Sequence, residues 1–114
     1  MPYLKIQTNR EIDDGAKKQT LIRASARISE LLGKSTRYVM VAFAPRHAMV
    51  FAGSTDPCAY LELKSIGLAR GETATLSEAL CDLIHRELGI PTDRVYIEFA
   101  DAERPMWGWN GKTF

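Results

Sequence analysis

The chain has 114 residues, 46% hydrophobic and 25% charged, a composition that excludes disordered, collagenous and mucin-like proteins and fits one compact domain. Fifteen Lys and Arg against fourteen Asp and Glu leave a formal charge of +1, which supplies no cationic field for nucleic acid or an anionic membrane, so neither partner is expected. A chain of this length buries roughly two thirds of the surface its unfolded form exposes, enough for one core.

The first predicted element is a strand at Tyr3-Leu4-Lys5-Ile6. A helix follows over about Asp14 to Leu32, where Leu21, Ile28 and Leu32 with Ala24 and Leu31 recur at helical spacing. Asp13 or Asp14 is placed to cap it, and Gly33 to end it in the left-handed conformation. Tyr38 to Ala44 then reads as a strand apolar in both directions, and Gly53-Ser54-Thr55-Asp56-Pro57 as a turn. A second strand–helix–strand series begins at Tyr60-Leu61-Glu62-Leu63. Its helix carries Leu76, Leu80, Leu83, Ile84 and Leu88 on one face. Thr75 and Glu78 stand at capping-box spacing, an earlier start near Gly71 is open, and Gly89 is the stop. In Val95-Tyr96-Ile97-Glu98-Phe99 the odd positions point to the helices, and Tyr96 and Glu98 point away. Segments Ala48 to Phe51 and Met106 to Trp109 are candidates to extend sheets between subunits.

The two series are copies. Leu32 to Ala44 aligns without gaps on Leu88 to Ala100, with Leu, Gly, Thr, Val, Phe and Ala repeated in place. The predicted architecture is therefore α/β: a tandem βαβ repeat, about 1–57 and 58–114, forming one four-stranded mixed sheet with two helices on one face. Neither half covers its own faces, so residues 1–114 read as a single domain. The chain has no third long helix to cover the other side of the sheet, which favours oligomerisation.

The longest nearly continuous apolar stretch, Tyr38 to Pro45, is far below the ~20 residues that span a bilayer. The start, Met1-Pro2-Tyr3-Leu4-Lys5, lacks the pattern of a secretory signal. A soluble, cytoplasmic protein is expected, with any export by a non-classical route. Cys58 and Cys81 are too few for a disulfide framework and read as reduced thiols. His47 and His85 lack metal-ligand spacing, and no phosphate-binding or dinucleotide glycine motif occurs, so no metal or cofactor is assigned.

Pro2 is the first chemical candidate. Removal of Met1 would leave a secondary amine at the start of a strand; if dry walls and a nearby cation lowered its pKa, it could take a proton from a carbon next to a carbonyl. Read structurally, Pro2 simply begins an edge strand, where its missing N–H costs little. Lys34, just past Gly33, could bind a substrate carboxylate and depress that pKa; taken by itself it reads as a solvated charge suited to a helix C-terminus.

Pro2, Leu32-Gly33-Lys34, Gly53 to Ala59, Ser65-Ile66-Gly67, Asp93 to Ile97 and Gly108 to Phe114 together resemble the macrophage migration inhibitory factor family of the tautomerase superfamily, nearly end to end. The resemblance implies a homotrimer with a proline base at each subunit interface. It further implies cofactor-independent keto–enol tautomerisation of phenylpyruvate-like α-keto acids, in which Pro2 shuttles the proton and Lys34 with the Ile66 backbone holds the acidic end. Tyr96 and Trp109 would be pocket aromatics from an adjacent subunit, with Tyr38 and Phe114 near the rim. A cytokine-like homologue that binds a receptor and keeps the pocket mainly as structure is the competing class. Three departures stand out. Cys58-Ala59-Tyr60-Leu61 lacks the second cysteine of the family's CxxC, so no thiol oxidoreductase function is expected. Glu98 stands in place of an amide side chain, and Trp107 in place of a smaller apolar residue beside the pocket.

Overall fold

The computed structural model describes residues 1–44 and 46–114; Pro45, the end of the apolar stretch noted above, lies outside the described residues. Its elements run β1 (Tyr3–Thr8), α1 (Asp14–Leu32), β2 (Met40–Phe43), β3 (Ala59–Ile66), α2 (Thr73–Leu88) and β4 (Val95–Ala102). A two-strand hairpin closes the chain, β5 (Gly108–Trp109) with β6 (Lys112–Thr113). The main sheet has the order β2-β1-β3-β4. β1 runs parallel to β2 and antiparallel to β3, and β3 parallel to β4, so each strand–helix–strand series forms its own parallel pair and the two pairs meet antiparallel at the centre.

Strand period and helix period converge on one core. Leu4, Ile6, Leu61 and Leu63 alternate inward from β1 and β3 and pack with Ala24 and Ile28 of α1 and Leu76, Leu80, Leu83, Ile84 and Leu88 of α2. Burying side chains of this size contributes about 1.5–3 kcal/mol each. Val95 is buried, Ile97 and Phe99 pack against the core, and Tyr96 and Glu98 face outward. On the other side of the sheet the central strands present Tyr3, Lys5, Tyr60, Glu62 and Lys64, in register with Tyr96, Glu98 and Ala100, a polar and aromatic surface; the large exposed hydrophobic side chains there are Met40 on β2 and Tyr96 on β4.

α1 starts and stops where its caps dictate. Asp13 Oδ1 accepts the Ala16 N–H at 2.8 Å, and Gly33 ends the helix at φ 63°, a left-handed conformation that costs glycine little. Its buried face is Thr20, Ala24 and Ile28, with Leu31 and Leu32 packed against the core as expected; Leu21 alone departs from the expected stripe, half-buried while Thr20 is buried beside it. α2 takes the earlier of its two expected starts, near Gly71. It begins at Thr73 on a 3₁₀ turn at Arg70–Glu72, without a side-chain cap, so Thr75 and Glu78 lie inside the helix and form no capping box. Gly89 ends it as expected, at φ 68°.

Strand β2 is shorter than Tyr38 to Ala44 because the Ser35 side chain caps a 3₁₀ turn, accepting the Arg37 N–H at 3.2 Å, and Tyr38 closes that turn. The two segments considered for pairing between subunits make only local pairings within the chain. Phe51 bridges Ser54, and Gly108–Trp109 folds back on Lys112–Thr113 around Asn110 and Gly111, both at positive φ, the Asn-Gly signature of a tight hairpin. Among the described residues no helix is long and apolar enough to cross a membrane.

Candidate active site

Pro2 sits immediately before β1, where the absence of an N–H breaks no ladder bond. It is buried, and its carbonyl accepts the Met40 N–H at 2.9 Å, locking the start of β1 to β2. The Met1 ammonium donates to the Tyr38 carbonyl. Burial pushes the Met1 amine below its ordinary pKa, and the neighbouring Lys34 cation pushes it the same way.

The cap of α1 places Lys34. The Gly33 turn directs the Lys34 N–H to the Ser29 carbonyl at 3.1 Å, and the ammonium donates to the Ile66 carbonyl at 2.5 Å. Ile66 ends β3 just before Gly67, itself at φ 73°. Lys34 is held below the usual lysine range by partial burial first and by Arg104 second, against the opposing pull of Asp101 and Glu72. Lys34 and the Ile66 backbone, paired by the resemblance, are thus in direct contact.

An open cleft of about 470 Å³ lies over Pro2, with Tyr38, Trp107, Trp109 and Phe114 among its walls and Arg37 and Lys64 at its border. Tyr38 stands edge-on to Trp109 at 5.6 Å and to Phe114 at 6.0 Å, while Trp109 and Phe114 stack at 5.7 Å. Such offset and T-shaped pairs each add about 0.5–1.5 kcal/mol beyond area burial. The Phe114 N–H donates to the Trp107 carbonyl at 3.2 Å, which ties the last residue to the wall. Trp109 therefore reaches the Pro2 cleft of its own chain, and the expectation that an adjacent subunit supplies it is corrected: the Asn110-Gly111 hairpin folds it back onto Tyr38.

Tyr96 is elsewhere. It lies four residues along β4 from Ala100, the partner of the Lys64–Tyr3 row, hence about 13 Å away along the strands from the Pro2 end of the sheet. It is 64% exposed and rests on Phe51, with ring centroids 4.6 Å apart. Arg94 builds that corner. Its guanidinium donates to the carbonyls of Phe51 (3.1 Å), Ser54 (3.2 Å), Asp56 (3.0 Å) and Pro57 (3.0 Å), and lies 5.3 Å from the Phe51 ring centroid. Glu98, two residues on, accepts the Tyr60 hydroxyl at 3.1 Å.

Three cations escaped the sequence reading: Arg37, Lys64 and Arg104. Period two along β3 places Lys64 opposite the buried Leu63, a signal present in the sequence; the positions of Arg37 and Arg104 depend on 3₁₀ turns that carry no periodic signal. Cys58 is buried and Cys81 half-buried, both as free thiols, and burial pushes the Cys81 thiol up, away from reactivity. Among the described residues no group of three or more His, Cys, Asp or Glu side chains is gathered as a metal site requires.

A pseudo-twofold pair of βαβ units, with a proline at the first strand and an aromatic cleft over it, defines a subunit of the tautomerase-superfamily fold. The family model described as macrophage migration inhibitory factor matches residues 1–114. A macrophage migration inhibitory factor homologue of Brugia malayi is 41% identical over 115 residues, covering 100% of this chain and 99% of that one. The Xenopus laevis macrophage migration inhibitory factor is 36% identical at the same coverage. The crystal structure of a homologue from Prochlorococcus marinus superposes with a TM-score of 0.92 at 42% identity, covering 98% of each chain. The chain belongs to the macrophage migration inhibitory factor family.

Proposed function

We propose that this protein is a cofactor-independent keto–enol tautomerase of phenylpyruvate-like α-keto acids, with the Pro2 amine, freed by removal of Met1, as its base. The observation that carries the reading is the environment of the amine one residue away: burial and the Lys34 cation both favour the neutral form of Met1, and both would act in the same sense on a Pro2 amine. An α-amino group ordinarily titrates near ~8, and a secondary amine somewhat higher, so this depression is what a base working at neutral pH requires.

In the proposed step the Pro2 nitrogen takes the proton from the carbon beside the keto group. The C–H electron pair becomes the C=C bond, the carbonyl π pair moves to oxygen, and the Pro2 ammonium returns its proton to that oxygen, giving the enol and the free amine. The reverse sequence returns the proton to carbon. Lys34 offsets the substrate carboxylate, the Ile66 backbone orients Lys34, and Tyr38, Trp107, Trp109 and Phe114 enclose the aromatic ring. A homotrimer is the proposed assembly: it covers the outer sheet face and exposed Met40, and lets Tyr96 of an adjacent subunit complete a cleft that it does not reach in its own chain.

The test is intact-mass measurement paired with phenylpyruvate turnover by wild type and Pro2→Gly. The expected result is a wild-type mass lacking Met1 and a loss of kcat/KM of about a hundredfold or more in the variant, the low end of what general base catalysis contributes. Full activity from protein that retains Met1 rejects the role of Pro2, because the nitrogen is then a nonbasic tertiary amide. Absent turnover by wild type, with receptor binding intact, favours the signalling class.

A further inference from the structure

The cleft and its surroundings carry more positive charge than one carboxylate uses, with Arg37 and Lys64 at its border and Lys34 close to Met1. Lys34 already meets that need from its seat on the Ile66 carbonyl, close to Met1 and Pro2. Arg37 occupies a different place, with its guanidinium 5.7 Å from the centroid of the Tyr38 ring at the aromatic wall. Among the described residues, no ion pair engages Arg37; of the four present, only that of Lys64 with Glu62, at 3.8 Å, touches this cleft. The carboxylates near Lys34, Asp101 and Glu72, do not free it for a second anion, and Asp101 Oδ1 is already committed to the Leu68 N–H at 2.9 Å. A guanidinium laid on an aromatic face is oriented in advance and presents its planar fork to an incoming carboxylate or phosphate-like group.

We propose that the preferred substrate is doubly anionic: an aromatic α-keto acid whose ring bears a second acidic substituent, the first carboxylate meeting Lys34 and the second meeting Arg37. The ring then lies along the wall of Tyr38, Trp109 and Phe114, and Lys64 and Arg104 add to the attracting field without direct bonds. This deepens the tautomerase reading and rests on it.

The experiment compares kcat/KM for phenylpyruvate, 4-carboxyphenylpyruvate and the neutral isostere 4-carbamoylphenylpyruvate, in wild type, Arg37→Gln and Arg37→Lys of verified fold and assembly. Wild type is expected to favour the carboxylate over the carboxamide by about tenfold at low salt, the scale of one charge-assisted hydrogen bond. Arg37→Gln removes that preference, Arg37→Lys restores part of it, and added salt shrinks it. A wild type that isomerises phenylpyruvate yet turns over carboxylate and carboxamide equally overturns the inference and leaves the tautomerase reading standing. So does a preference that survives in Arg37→Gln. A wild type that isomerises none of the three overturns both.

Discussion

The two halves of the chain descend from one pattern and put it to different uses. After the first helix, Gly33 is followed by Lys34, a half-buried cation bonded to Ile66; after the second, Gly89 is followed by Ile90, fully buried in the core. Four residues further on, Tyr38 forms the wall of the Pro2 cleft, and its counterpart Arg94 grips four carbonyls of the turn between the halves. Only the residues with no structural debt in a given half are free for chemistry. The first half leaves its turn open at a strand start; the second closes the same turn with apolar packing and backbone clamps.

Exchanging residues between equivalent positions sharpens that contrast. Ile90→Lys, which gives the second half the first half's cation, places an amine where no water or partner reaches it. It is expected to destabilise the fold by about 4 kcal/mol, read as a shift of the denaturation midpoint. The reverse exchange, Lys34→Ile, leaves the fold nearly as stable and lowers kcat/KM for phenylpyruvate by about thirtyfold, the loss of one charge-assisted contact of about 2 kcal/mol.

The same variant has a pH signature. Kcat/KM rises with pH as the proposed amine loses its proton. A cation that disfavours the protonated amine keeps that rise at lower pH, so removing Lys34 moves the inflection upward. An unmoved inflection would separate carboxylate binding from pKa control and assign Lys34 only the former.

Arg94→Ala tests the clamp. Losing its partly buried bonds to the turn is expected to cost about 2 kcal/mol by thermal or chemical denaturation. The smallest effects belong to the helix stops. Gly33→Ala meets no atom within 4 Å of the new Cβ and pays only for its positive φ, about 1 kcal/mol; Gly89→Ala adds a contact at 3.0 Å with Arg10 Nη1, an end of a flexible side chain that can yield. The two melting shifts should therefore agree closely, and a much larger one at Gly89 would show that Arg10 is fixed.

Much of this fold is legible in the sequence because the governing interactions are local. Asp13 and Gly33 bound α1 through bonds that span a few residues, and the doubled Leu-Gly…Thr…Val…Phe-Ala pattern carries the sheet topology. The face of α1 is less legible: Leu21 and Thr20 both fit a helical stripe, and only the packing partner selects Thr20. The start of α2 misleads because Thr75 and Glu78 have capping spacing, while the chain already turns helically at Arg70. At the site, Pro2, Tyr38, Trp107, Trp109 and Phe114 gather around one cleft, and Lys34 bonds to the Ile66 carbonyl near Met1. Tyr96 stands apart because strand register, which no single segment encodes, sets it at the far end of β4. Arg37 and Arg94 are invisible to periodicity, since each acts from a 3₁₀ turn.

The antiparallel junction of β1 with β3 sets Pro2 and Ala59, equivalent positions of the repeat, at opposite ends of the sheet. Internal duplication thus offers two symmetry-related corners, but the one at Cys58–Ala59 lies within continuous polypeptide, whose nitrogen is an amide and binds no proton near neutrality. The stoichiometry of a base built on the chain's α-amine is accordingly one per chain, and multiplying such sites requires whole copies of the polypeptide.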